Sequence, residues 1–263
     1  MFNPSAGKRI PLVLLEGTIR SGSRAGSLCY TKVSPILEKA FTKFEGDEVC
    51  LLINSPGGSP AQSSLIYKTI VALKKQHKKK VVGFVSDMAA SGGMYIACAA
   101  DELIVDENSA LGSVGVISQW FGVTEMMQKI GVRPRIYTAG KNKAFLSPFQ
   151  EEPSEKELAR LREIQTQIHE SFKQVVQASR GSKLKEGVDH FSGDIWFGED
   201  AVRVGLADKI GDPSSWIAER EGRKFQVLKE HSGFFSRFMP SAETLAKAVL
   251  QVAENQSKYT IKM

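Results

Sequence analysis

Three groups of residues in this 263-residue chain have the types and order to do chemistry. Two are glycine-rich turns that each follow an apolar run, Asn54-Ser55-Pro56-Gly57-Gly58-Ser59 and Ala90-Ser91-Gly92-Gly93. Glycine permits positive φ and close approach of another backbone, so main-chain N–H groups of the first turn are free to hold an anion or an extended substrate. In the second, the Ser91 hydroxyl stands at the start of an expected helix, where unpaired N–H groups and the helix dipole stabilise a developing oxyanion. Each turn alone also fits a plainer role, a strand-to-helix connection for the first and an N-cap serine for the second. The third group, Gly140-Lys141-Asn142-Lys143, supplies what a serine nucleophile needs, a base. A lysine serves if burial keeps its amine neutral, and Ala144-Phe145-Leu146 beside Lys143 are apolar enough to desolvate it. Lys141 is the competing base.

Other chemistries find less support. The four histidines, His77, His169, His190 and His231, all stand away from the glycine-rich turns and read as surface or packing residues. Phosphate-cradling GxxxxGK[ST], dinucleotide-binding GxGxxG, GxSxG elbows and HExxH are all missing. Cys29, Cys50 and Cys98 are far apart, so reduced thiols are expected, with no metal and no cofactor. An enzyme this poor in histidine needs a different base.

The elements that must position these residues alternate between strand and helix. Short runs rich in Val, Ile and Leu at 11–15, 49–53, 81–85, 103–105, 114–117 and 135–138 read as buried strands. Helical stretches at 61–75, 91–100 and 123–130 lie between them, which argues for a layered α/β core. A capping box, Ser154-x-x-Glu157, opens a long helix over 155–179 with Leu158, Leu161, Ile164, Ile168, Phe172 and Val175 on one stripe. A short helix over 200–206, a strand over 207–210 and a turn at Gly211-Asp212-Pro213 follow. Beyond about residue 222 the texture changes to an aromatic cluster, Phe234, Phe235 and Phe238, and one more amphipathic helix over 241–252. The chain therefore divides into a main domain at 1–222 and a helical extension at 223–263, too short for its own core.

Composition sets outer limits. Hydrophobic residues make up 42% and charged residues 24%, with Lys+Arg 35 against Asp+Glu 29, which excludes a disordered or collagenous chain. No apolar run approaches the roughly 18 to 20 residues of a membrane span. The N-terminus lacks signal-peptide character. A cytoplasmic location is therefore expected for the sequence as written, and membrane association if a native N-terminal anchor has been removed. The lysines of 74–80 follow a helical stretch, where the dipole favours cations, and no aromatic residues interleave with them, so no nucleic-acid partner is expected.

Taken together, NSPGG at 54–58, ASGG at 90–93, GSVGV at 112–116 and GKNK at 140–143 resemble, in order and spacing, the signal peptide peptidase A family. The block from Phe197-Gly198-Glu199-Asp200-Ala201 to Gly205-Leu206-Ala207-Asp208-Lys209-Ile210-Gly211 matches another recurring family segment, and the likeness covers roughly residues 10 to 215. The resemblance implies a Ser-Lys dyad serine peptidase on a layered α/β Clp-protease/crotonase-like fold of repeated β-β-α units. It implies Ser91 as nucleophile, Lys143 as general base and Ser113 as the serine that orients the lysine. Gly58 and Gly92 are implied as oxyanion-hole donors, with Gly57 and Met94 (where relatives carry Tyr or Phe) at the substrate. The implied substrates are extended, apolar peptides such as signal-peptide remnants, and the implied assembly is a ring-shaped homo-oligomer whose grooves draw on neighbouring protomers. Peripheral membrane association stays open. The helix over 155–179 and the C-terminal phenylalanines are oligomer contacts or internal packing. Two other functions suit the same fold: a crotonase-type acyl-CoA enzyme, which needs paired glutamates that 91–100 lacks, and a non-catalytic peptide- or membrane-binding scaffold.

Overall fold

The computed structural model describes residues 9–22, 26–150 and 152–229. In chain order the elements are β1 (Arg9–Glu16), β2 (Thr18–Ile19), β3 (Ser27–Leu28), α1 (Tyr30–Thr42), β4 (Glu48–Ser55) and α2 (Pro60–His77). Then come β5 (Lys80–Ala90), α3 (Gly92–Ala97), β6 (Glu102–Val105), β7 (Ala110–Gly112), α4 (Thr124–Lys129) and α5 (Glu155–Arg180). The described part closes with β8 (Ile195–Phe197), α6 (Gly198–Arg203), β9 (Lys209–Ile210), α7 (Pro213–Ala218) and β10 (Lys224–Leu228).

One eight-stranded sheet runs in the order β10-β1-β4-β5-β6-β9, with β7 paired to β5 and β8 to β7. All pairings are parallel except β7–β8. Parallel strands need crossovers, and α2 and α3 supply two of them, between β4 and β5 and between β5 and β6. The two-residue side-chain period divides the strands between two apolar layers. Val13, Leu15, Leu51, Ile53, Val81 and Val105 join the main core with helical residues such as Leu37, Ile70, Met94 and Phe172. Ile10, Leu12, Cys50, Val82, Phe84 and Ile104 face a smaller cluster closed by Trp216. That ring packs edge-on to Phe84 at 5.6 Å and stacks on Phe225.

The central strand makes the site possible. Along β5, residues 82–85 pair with β6, whereas 88–90 pair with β7. Against β4 the register jumps from Ile53↔Val85 to Ser55↔Ala89, so β5 carries two extra residues at this point and bends. The fully buried Ser109 pins the bend by donating to the carbonyls of Val85 and Ser86. Asn54 bonds Asp87 across it. The last residues of β5 are thereby directed out of the regular sheet to where Ser91 begins a new helix.

A buried ion cluster anchors the far end of α5. Arg180, 1% exposed, makes a bidentate pair with Asp208 at 2.7 and 3.2 Å and also donates to the Gly205 carbonyl. Asp208 takes further bonds from Lys183 and from the Leu103 N–H. Burial alone would raise the Asp208 carboxyl, but these donors outweigh it and hold the group at about 2. The run 205–211 is therefore a structural tie between α5, β6 and β9.

Several expectations are corrected. The run 114–117 is not a strand; β7 lies just before it at Ala110–Gly112, and beyond Ala90 β5 offers it no further backbone to pair with. Residues 135–138 are irregular and exposed. Helix α1 escapes the sequence pattern because Pro35 lies inside it, yet Val33, Leu37, Ala40 and Phe41 are buried. The domain boundary expected at 222 does not interrupt the sheet: Lys224–Leu228 pairs in parallel with β1, and the compact unit runs through Lys229. The expected helix over 241–252 and the phenylalanines at 234, 235 and 238 lie outside the described residues. Of the lysine run, Lys74 pairs with Asp101, Lys80 with Glu102, and Lys79 donates to the Phe44 carbonyl. Among the described residues no helix is long and apolar enough to cross a membrane.

Candidate active site

Ser91 has φ 51 and ψ −119, a backbone conformation that L-residues rarely adopt, and its side chain makes no capping bond to α3. Both facts argue against the N-cap role that its position allows, because a capping serine has extended backbone and accepts a bond from the following turn. A non-glycine residue held in this region costs about 1 to 3 kcal/mol and persists only where its surroundings fix it. Here the Ser91 N–H donates to the Gly112 carbonyl at 2.9 Å, and its carbonyl accepts from Tyr95 at 3.0 Å. The residue is half-buried.

The first glycine turn packs directly against it. A Cβ placed on Gly57 would come within 2.7 Å of the Gly92 nitrogen and 2.8 Å of the Ser91 Cβ, so only glycine fits. Gly58 follows in a short parallel bridge to Ile19, in which the Ile19 N–H donates to Gly57 O and the Ser59 N–H to Ile19 O. The Gly58 N–H takes part in neither bond. Gly92 is the first residue of α3, where helical geometry leaves N–H groups without an internal acceptor. Ser91, Gly58 and Gly92 all line one cavity of about 380 Å³. Its walls are largely apolar: Pro60 and Ala61 from α2, Tyr95 from α3, Val116 and Ile117 from the run after β7, and Ile168 and Phe172 from α5. Tyr95, Ile168 and Phe172 are cavity residues that site prediction from the motifs missed; the apolar stripe of α5 was the signal for two of them.

Two expected substrate contacts are placed elsewhere. Met94 is fully buried in the core, because the helical turn sends its side chain inward and presents Tyr95 to the cavity. Gly57 lies behind the cavity lining, with its N–H donated to Ser55 and its carbonyl taken by Ile19. Ser113 stands between β7 and the cavity wall at φ 50, its N–H donated to the Asp194 carbonyl at 2.6 Å.

Lys143 is not brought to Ser91 within the chain. It lies exposed in the turns of 140–147, as does Lys141, and neither is among the cavity's lining residues. The segment that carries them is poorly covered: Ile117 is 83% exposed, Phe121 76% and Tyr137 88%, and Met126 and Ile130 are also exposed. No histidine among the described residues lines the cavity. His169 Nε2 donates to the Val114 carbonyl, His190 Nε2 to that of Val204, and His77 packs near Phe41. His231 lies outside the described residues.

Comparison with known proteins adds an independent line. The profile of peptidase family S49 matches residues 73–224, and that of Clp protease matches 16–111, consistent with the layered sheet described above. Protease 4 of Haemophilus influenzae is similar at 32% identity over 222 residues, covering 81% of this chain and 34% of that protein. The chloroplastic serine protease SPPA of Arabidopsis thaliana is 33% identical over 167 residues, 63% of this chain and 24% of that protein. A Brucella abortus protein named Na(+)/H(+) antiporter NhaA is 44% identical over 235 residues, covering 88% of this chain and 32% of the other. This chain thus spans about a third of that relative, whose name describes the whole of a much longer protein. Among solved structures, a ClpP1 mutant from Listeria monocytogenes aligns at TM-score 0.48 and 17% identity, over 81% of this chain and 94% of that one.

Proposed function

This chain belongs to peptidase family S49, and from that premise we propose that it is a serine endopeptidase with Ser91 as nucleophile and Lys143 as general base. One observation carries the reading: Ser91 is held at positive φ, free of any capping bond, on the wall of an apolar cavity beside Gly58 and Gly92. In the proposed reaction the Ser91 Oγ attacks the carbonyl carbon of a peptide bond while the neutral Lys143 amine takes the hydroxyl proton. The N–H groups of Gly58 and Gly92 receive the oxyanion, and losing one such donor costs about 3 to 4 kcal/mol. The tetrahedral adduct then collapses, Lys143 returns the proton to the leaving amine, and an acyl-enzyme ester remains. Water, deprotonated by the same lysine, cleaves that ester and releases the carboxylate product.

An exposed lysine is a poor base, because its amine is held neutral near pH 7 by desolvation or by a neighbouring cation, and full exposure supplies no desolvation. We therefore assign Lys143 to the cavity of a second copy of the chain, within a ring-shaped homo-oligomer in which the apolar side chains of 117–137 find cover. Closed rings form from such head-to-tail contacts. The substrate is an extended, apolar peptide, suited to walls built from Pro60, Tyr95, Val116, Ile168 and Phe172. The crotonase-type alternative needs carboxylates beside the oxyanion donors, and no Asp or Glu is among the residues lining the cavity.

The test is labelling with a fluorophosphonate probe, with the adduct located by mass spectrometry. An adduct on Ser91, absent in Ser91→Ala, supports the peptidase. Peptide binding without any adduct would leave the scaffold reading in its place.

A further inference from the structure

We infer that Ser55 is a positioning residue that sets both backbone donors of the oxyanion hole without touching substrate; this rests on the peptidase reading above. Ser55 ends β4 and is fully buried, so its hydroxyl must be bonded to be tolerated. Both of its bonds go to backbone. The Oγ donates to the Gly17 carbonyl at 2.8 Å and accepts the Gly57 N–H at 3.2 Å.

That pair of bonds closes a frame around Gly58. On one side the Ser55 hydroxyl holds the Gly57 N–H. On the other, Ile19 holds the Gly57 carbonyl and the Ser59 N–H, each at 2.8 Å. Gly17, just before β2, and Ile19, within it, are two residues apart, and the Gly17 N–H in turn donates to the Asn54 carbonyl at 2.9 Å. The groups on both sides of Gly58 are therefore fixed by one short piece of chain, and the Gly58 amide at the cavity wall inherits its direction from them. By consuming the Gly57 N–H, Ser55 also decides which of the two adjacent glycines is left to donate.

Ser55 touches the second donor's element as well. A Cβ on Gly93 would lie 2.5 Å from the Ser55 carbonyl oxygen and 3.2 Å from its Cβ, so the first turn of α3 rests on this residue. Gly92, whose N–H is the other donor, is the preceding residue of that turn. Preorganised donors stabilise a transition state only when they already point to where the charge will form. Ser55 contacts both turns from behind the cavity, as Ile19 also does, and it is the one of the two that holds the Gly57 N–H by a side-chain hydroxyl.

The experiment compares wild type, Ser55→Ala and Ser55→Cys on a chromogenic apolar peptide substrate, with Val33→Ala on α1 as a stability control. Ser55→Ala should lower kcat by about ten- to a hundredfold, part of the cost of losing a donor outright, with KM within about twofold. A peptide aldehyde, which forms a tetrahedral adduct, should lose affinity by the same factor, whereas a cleaved product peptide should bind as before. Ser55→Cys keeps the volume with a weaker donor and acceptor and should fall between; it decides the matter if the alanine variant does not fold. Val33→Ala should lower Tm without changing kcat. Equal kcat in wild type and Ser55→Ala, or a loss of kcat in Val33→Ala as large as that in Ser55→Ala, would overturn the inference while Ser91 labelling stands. A wild type that neither labels at Ser91 nor cleaves would overturn the peptidase reading and this inference with it.

Discussion

Ser91 and Lys143 sit in opposite kinds of surroundings. The serine is fixed from every side: a bent central strand behind it, a buried hydroxyl at Ser109 holding the bend, Gly57 packed under it and Gly112 bonded to its amide. The lysine stands on a segment where Ile117, Phe121, Met126, Ile130 and Tyr137 all face solvent. The difference teaches that the fold of one chain fixes the surroundings of the proposed nucleophile and its neighbouring glycines, whereas the proposed base stands on a part of the chain that leaves apolar side chains exposed. Helix α5 records the same division along its length. Its C-terminal half buries Phe172, Val176 and Arg180, whereas no residue of its first four turns is fully buried.

The comparison can be broken at either end, and the largest effects are expected at the reacting groups. Ser91→Ala and Lys143→Ala should each lower peptide hydrolysis by about a thousandfold or more, measured as kcat/KM. Lys143→Ala with near-normal turnover would remove the lysine from the mechanism. Charging the uncovered segment away from the cavity wall, Phe121→Asp with Ile130→Asp, should reduce the assembly seen by analytical ultracentrifugation. Activity should fall in step, by about tenfold or more, if a buried contact desolvates the base. A fully assembled, inactive double variant would separate the two.

Ser113→Ala should cost about tenfold in kcat with little change in KM if the hydroxyl orients the lysine, a smaller effect than loss of the base itself. The least effect on chemistry is expected at the anchored end of α5. Asp208→Asn leaves Arg180 buried without its partner and should destabilise the fold by about 3 kcal/mol, read as a lowered Tm, while kcat per folded molecule stays the same. The folded-state carboxyl is held at about 2, below its ordinary value of 3.8. Its contribution is therefore present above the ordinary carboxylate range and is lost as pH falls through 4 towards 2. Thermal unfolding across that window should show a slope in the wild type that Asp208→Asn reduces.

How much of this was legible in the sequence differs by kind of information. Periodicity located β1, β4, β5 and β6, the helix α2 and the capping box of α5, because each is a strong local pattern of apolar spacing and caps. Pro35 hid α1, since a proline inside a helix removes one backbone bond that tertiary packing of Leu37 and Phe41 here outweighs. The run 114–117 has strand composition, but a strand also needs a partner, and partners are a property of the whole sheet. At the site, Ser91 was singled out by its glycine-rich turn and Gly58 and Gly92 by the family resemblance, and the structure places all three on one cavity wall. Met94 and Tyr95 are adjacent and both apolar in character, so only the helix's actual rotation shows that Tyr95 faces the cavity. Ser55 stood inside a quoted motif without a role, because its two bonds reach Gly17 and Gly57, one of them far away along the chain. The separation of Lys143 from Ser91 was not legible at all, since motif order carries no distance.

The assembly of one cleft from two copies is tested most directly by mixing two inactive variants. Ser91→Ala and Lys143→Ala proteins, purified separately, dissociated, combined in equal amounts and allowed to reassemble, contain interfaces that pair an intact serine with an intact lysine. Activity should recover to about a quarter of the wild-type value, the statistical share of such interfaces in a ring of head-to-tail contacts. Mixed assemblies that form and remain as inactive as either parent would contradict it.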